Sequence, residues 1–180
     1  TQSRSSAASD VYKRQVPNMV FTTEAATTMN IDGSTGAITK PVQPAFLVHP
    51  TSTQDDINTS SAVTIVWGTE RFDQGSDFAS NTFTAPVTGK YQLNCILYML
   101  NLDTAAGYYQ FRWVTSNKTY YAPIVDPGVL ASDPQYWSVS GSILVDLDAS
   151  DTVYIQIYQD GGTQQTDISN HSFFSGYLAC

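Results

Sequence analysis

The chain has 180 residues, with sixteen Asp and Glu against eight Lys and Arg, a formal net charge of −8. A surface this acidic repels phosphate backbones and argues against general nucleic-acid binding. No apolar run approaches membrane-spanning length, which argues against membrane insertion, and the start lacks the charged-then-apolar pattern of a signal peptide.

Eleven Tyr, eight Phe and three Trp, among abundant Thr, Ser, Val and Gly, favour strands over helices. The length suits one ordinary domain with a short extension. Residues 1–15, TQSRSSAASDVYKRQ, contain a segment that resembles a translated sequencing adaptor; the alternative is a disordered tail. Setting the segment aside removes Arg4, Lys13, Arg14 and Asp10 and takes the net charge from −8 to −10.

Residues 16–42 form a lead-in. MNIDGSTGAITKP reads as strand, Gly turn, strand, with Met29 and Ile31 before Asp32-Gly33 and Ala37 and Ile38 after Gly36. It is too small to hold a core alone. A head domain over 43–180 then follows as a series of period-two segments. QPAFLVHP (43–50) is bounded by prolines and is expected to be an edge or opening strand. Residues 51–61 read as loop. Val63, Ile65 and Trp67 share one face of the next strand, and Thr82–Pro86 is a brief strand ending at Ala85-Pro86.

Lys90–Leu100 places Tyr91, Leu93, Cys95, Leu97 and Met99 on one face. Tyr108–Val114 does the same with Tyr109, Phe111 and Trp113, and Tyr120–Val125 follows. In Tyr136–Asp148, Trp137, Val139, Ile143, Val145 and Leu147 oppose a row of Ser and Asp. Thr152–Gln159 sets Val153, Ile155 and Ile157 against Tyr154, Gln156 and Tyr158, and Ser172–Ala179 closes the chain. Period two throughout, with no amphipathic helix, predicts an all-β sandwich whose two sheets bury their apolar faces against each other.

Chemistry has few carriers in this sequence. His49 and His171 are the two imidazoles, and no GxSxG elbow, phosphate loop or HExxH motif occurs, so no catalytic residue is assigned. Cys95, at an inward position, reads as a buried free thiol, and its spacing to Cys180 suggests neither a disulfide framework nor a zinc site. Asp146, Asp148 and Asp151 in DLDASD offer weak calcium ligands; the alternative is the solvated face of a strand and its turn. The outward set Ile96, Tyr98 and Leu100, and likewise Tyr154 and Tyr158, is more apolar than a monomer needs and marks an expected subunit contact. Asp103–Gly107 and Asp126–Gln135, with Tyr136 and Trp137 at one edge, are the loops expected to carry a binding surface.

FDQGSDFASNTFTAPVTGKYQL (72–93) resembles the signature of C1q-like domains through Phe72, Phe78, Phe83, Ala85-Pro86, Gly89 and Tyr91. The closing FFSGYLA (173–179), with Phe174 and Gly176, and the hairpin SILVDLDASDTVYIQI (142–157) are similar to the family's last strands. The resemblance implies a ten-stranded antiparallel jelly roll of the C1q and tumour-necrosis-factor type, forming homotrimers, some with calcium near the axis. Phe72, Phe78, Phe83, Pro86, Gly89, Tyr91, Phe174 and Gly176 are its expected fold-building residues. No Gly-X-Y collagen repeat is present in the sequence. The junction IDGSTGAITKPVQPAF (31–46) resembles the lead-in to such heads in phage structural proteins. The implied function is a non-enzymatic, cofactor-free trimeric head of a phage fibre on the virion surface, contacting a host-cell glycan or protein. A purely structural trimerisation cap and a secreted, extracellular recognition protein of a cell are the alternatives.

Overall fold

A computed structural model of the chain describes residues 18–23 and 26–180; the segment 1–15 lies outside the described residues. Contacts divide the chain into two units, Thr1–Val42 and Gln43–Cys180.

In the first unit, β1 (Met19–Thr22), β2 (Thr27–Ile31) and β3 (Ile38–Thr39) form an antiparallel sheet in that order. Ile31 pairs with Ile38, so the expected strand–turn–strand is present, with β1 added to it. Asp32 organises the turn. Its Oδ1 accepts from the Ser34 and Thr35 amides at 2.9 and 2.7 Å and from both hydroxyls. These hydrogen bonds, the Ser34 hydroxyl first, hold the carboxyl at about 2, below the ordinary 3.8.

The second unit contains β4 (Ala45–His49), β5 (Ala62–Thr64), β6 (Thr69–Gln74), β7 (Phe78–Ala79), β8 (Thr82–Thr84) and β9 (Gly89–Leu100). It continues with β10 (Tyr109–Thr115), β11 (Thr119–Val125), β12 (Tyr136–Leu147), β13 (Thr152–Gln159), β14 (Asp167–Ile168) and β15 (Phe173–Leu178). They build two six-stranded antiparallel sheets. One, the β9 sheet, runs β12-β9-β15-β4-β6 with β14 on β9; the other, the β13 sheet, runs β11-β10-β13-β8-β7 with β5 on β13. Where ten strands were expected there are twelve segments, of which β7 and β14 are two residues long.

The core is the space between the sheets. From β9 it takes Tyr91, Leu93, Cys95, Leu97 and Met99, from β10 Tyr109, Phe111 and Trp113, and from β13 Val153, Ile155 and Ile157, all buried. Each such side chain contributes about 1.5–3 kcal/mol by leaving water. Phe46 is the centre of an aromatic cluster, stacked on Phe83 at 4.7 Å and edge-on to Phe174 at 4.9 Å. Gly176 permits that packing, since a Cβ there would lie 2.6 Å from Leu93 Cδ2 and 2.8 Å from Phe46 Cε1. Cys95 is a free buried thiol, pushed well above its usual range by desolvation, and Cys180 is free and exposed.

Several expectations change. β4 opens the second unit as expected but is not an edge strand, because it lies between β15 and β6. Pro44 and Pro50 flank the strand rather than interrupt it, so no ladder hydrogen bond is lost. Gly89 opens β9 and is roofed by the Cys180 carbonyl, 2.8 Å from where a Cβ would stand. Of the family-signature residues, Phe78, Phe83, Tyr91, Phe174 and Gly176 are buried, whereas Pro86 is exposed and Phe72 is 50% exposed. Phe72 faces outward by register, and the bulge lies next to it at Arg71. Leu47 pairs with Phe72 and Val48 with Glu70, leaving Arg71 as the extra residue of β6, and Phe72 joins the outward row with Leu47.

Candidate functional site

The outward face of the β9 sheet carries the first candidate surface. Alternation along β9 sends Ile96, Tyr98 and Leu100 away from the core. Register supplies their neighbours. Ile96 lies between Ser140 of β12 and Phe173 of β15, Tyr98 faces Ser138, and Leu100 faces Tyr136. The Tyr98 ring meets Tyr136 at 6.1 Å and the His171 imidazole edge-on at 5.9 Å. Leu47 and Phe72 extend the apolar row across β4 and β6. Leu144 and Tyr177, paired with Gln92, extend it towards the other end, where Lys90 and Asp146 form an ion pair at 3.1 Å. The serines of β12 leave a hollow of about 410 Å³ between Ile96, Ser140, Ser142 and Phe173. Exposed rings beside small hydroxyl-bearing positions make ridges and a groove, the relief that a second protein surface fills.

Tyr154 and Tyr158 belong elsewhere. They lie on β13, so their outward side is the opposite face of the sandwich, and the five expected contact residues do not form one patch. Strand alternation separates inside from outside but carries no label for which sheet a strand joins. Tyr158 is engaged within its own chain. The Arg112 guanidinium lies 4.6 Å from its ring and 5.4 Å from that of Tyr121, and Arg112 Nε donates to Gln110 Oε1 at 2.8 Å. Tyr108 stacks on the same ring at 5.8 Å.

The three carboxylates of DLDASD are drawn apart by other duties. Asp146 pairs with Lys90. Asp148 accepts from the Thr88 hydroxyl at 3.4 Å. Asp151 closes the β12–β13 turn, accepting from Ser116 Oγ at 2.7 Å, Asn117 Nδ2 at 2.6 Å and the Asp148 amide at 2.8 Å. Those bonds, Ser116 first, pull its carboxyl below the ordinary value. Among the described residues, no group of three His, Cys, Asp or Glu is placed to hold a metal ion.

The loops expected to carry a binding surface do come together. Asp133 Oδ1 accepts from the Thr104 amide at 2.8 Å, and Asp133 Oδ2 accepts from Gln165 Nε2 at 2.8 Å. The segments 103–107, 126–135 and 160–166 are thereby tied at one end of the sandwich. The hydrogen bonds from Thr104, hydroxyl before amide, lower the Asp133 carboxyl. Val129, 81% exposed, is the most exposed large apolar residue of this loop end.

Both histidines line a cleft of about 470 Å³ between β4, β6 and the turn before β15. His49 Nδ1 bonds the Pro50 carbonyl oxygen at 3.0 Å, and no carboxylate or nucleophile among the described residues bonds either ring. Sequence reasoning had weighed the two imidazoles separately. It also missed Leu47, Phe72 and Phe173 as members of the outward apolar face, since outward leucine and phenylalanine in isolation carry no signal.

A family model described as the C1q domain matches residues 45–179. No curated protein sequence matches the chain. Among solved structures, the globular domain of zebrafish complement 1qA protein is similar at 21% identity and TM-score 0.56, covering 77% of this chain and 98% of that one. Murine APRIL, in a crystal structure at pH 8.5, is similar at 12% identity and TM-score 0.53, covering 76% and 98%. A second murine APRIL structure, at pH 8.0, gives 13% identity and TM-score 0.54 over the same shares. At these identities the structural likeness is one of fold.

Proposed function

Because residues 45–179 belong to the C1q domain family, we propose that the chain is a non-enzymatic recognition head that works as a homotrimer, borne on a phage fibre or similar virion appendage and binding a host-cell surface glycan or protein. The observation that carries the trimer is the outward face of the β9 sheet, where Leu47, Phe72, Ile96, Tyr98, Leu100, Tyr136 and Phe173 stand together without a core to enter. A stable subunit contact needs about 800 Å² from each partner. One broad apolar face that meets a different surface of the next copy closes into a ring without a polymerising end.

Support for recognition is of a different kind. Three loops are fixed together at one end by Asp133, so a rigid sandwich presents polar segments side by side. The phage reading rests on the lead-in resemblance at 31–46. Sedimentation equilibrium of the full chain tests the trimer: the expected mass is three times that of the chain, and a monomer at micromolar concentration overturns it. Binding of the labelled chain to bacterial cells, with substitutions in 126–135 reducing it, tests recognition against a purely structural cap. Flanking genes for virion components test the source.

A further inference from the structure

Residues 43–180 carry thirteen Asp and Glu and only four Lys and Arg, namely Arg71, Lys90, Arg112 and Lys118. The cleft at β4, β6 and the turn before β15 reverses that balance. Its lining contains Arg71 and both imidazoles of the chain, with Asn170 and Ser172 as further polar groups and Leu47 and Phe173 as apolar walls. No carboxylate lines it, and the Glu70 side chain next to Arg71 is not part of the lining.

The three nitrogen groups arrive from separate elements. His49 ends β4, His171 stands in the turn before β15, and Arg71 is the bulged residue of β6. In an unbulged strand Arg71 would alternate with Phe72 and turn towards the core; the bulge keeps both residues outside. Among the described residues, no carboxylate forms an ion pair with the guanidinium.

His49 provides an independent sign. A carbonyl oxygen only accepts, so Nδ1 is the nitrogen that donates to Pro50. That leaves Nε2, which is buried and has no hydrogen-bond partner. A buried polar atom without a partner is costly and is retained where something completes it. When protonated on both nitrogens, the ring donates to Pro50 with one and to an incoming oxygen with the other.

We propose that this cleft is an oxyanion site that takes a carboxylate, sulfate or phosphate group. Arg71 offers the paired donors of a planar guanidinium, the doubly protonated His49 ring donates from Nε2, and His171 and Asn170 close the remaining sides. A volume of about 470 Å³ admits a group the size of one acidic sugar or one acidic side chain. Leu47 and Phe173 belong both to this cleft and to the apolar face. The anion therefore comes either from a free ligand or from a carboxylate of a second copy.

Imidazole resonances of the full chain decide the matter. The chain has two histidines, so H171Q assigns both Cε1–H signals. Sodium sulfate is titrated in at constant ionic strength, with sodium chloride in exchange. For a free ligand, both signals move saturably with sulfate and not with chloride, and R71Q weakens the response at least tenfold. For a carboxylate from a second copy, the assembled protein is silent to sulfate, R71Q weakens self-association at least tenfold, and the saturable shifts appear once Y98D has dissociated the protein. Arg71 is exposed, and an unchanged thermal midpoint verifies that R71Q folds. Absence of a saturable shift in both wild type and Y98D, or a response that R71Q leaves intact, overturns the proposal. The sulfate arm reads equally on a monomer, so failure of the trimer reading is a separate result.

Discussion

At Tyr91 the side chain does two jobs that the signature motif AP-x-x-GKY conceals. Its ring is wholly buried, 5.4 Å from Phe83, and its hydroxyl donates to the Val87 carbonyl at 2.7 Å, closing the turn that precedes β9. Removing the ring is expected to cost about 3–5 kcal/mol in Tyr91→Ala. Tyr91→Phe keeps the volume and loses the hydroxyl bond, about 0.5–1.5 kcal/mol. Urea unfolding of the two variants measures both, and similar losses would mean that the ring is not what fills the core. Gly176→Ala probes the opposite fault. Its new methyl would overlap Leu93 and Phe46, at an expected cost of about 1–3 kcal/mol from overpacking.

Among the elements, those with one apolar face were legible in the sequence, and those without were not. β9, β10, β12 and β13 bury alternate residues, and their bounds agree with the expected ones to within a residue. β6, TERFDQ, is a largely exposed outer strand, so it carries no period-two signal. The two-residue β14 is too short to show one. Turns were legible as turns but not as hydrogen-bond acceptors. Asp32 collects four donors, and its carboxyl sits at about 2 rather than 3.8. The sign follows from that depression. The contribution of Asp32 to the β2–β3 turn is complete above the ordinary carboxylate value and is lost as pH falls through about 2. Amide exchange at Ser34 and Thr35 should accelerate over that window, and Asp32→Asn should remove the pH dependence. In the β12–β13 hairpin, Asp151 is committed to Ser116 and Asn117. Chelation with EDTA is therefore expected to leave the thermal midpoint unchanged, and a fall would place a cation there.

For the whole molecule, which residues point outward was partly legible and which of them share a face was not. Alternation marked Tyr98 and Tyr154 as outward, yet the strand order that sends them to opposite faces depends on long-range pairing that no local pattern records. The division gives a paired test. Tyr98→Asp is expected to dissociate or destabilise the proposed trimer, because a closed ring would bury three carboxylates with no partners. Tyr154→Asp, on the opposite face, should leave the mass in sedimentation unaltered. Dissociation by the second substitution instead of the first would exchange the roles of the two sheets. The position of β15 makes folding of its sheet all-or-none. It is hydrogen-bonded to β9 on one side and β4 on the other, and the Ala179 amide is bonded back to the Lys90 carbonyl. The last strand of the domain in sequence order is thus an interior one of its sheet. Until it docks, β4 and β9 each keep an unpaired edge, and the outward face of the sheet has no continuous backing. Deleting Phe173–Leu178 is therefore expected to abolish folding of the whole domain rather than trim one side of it.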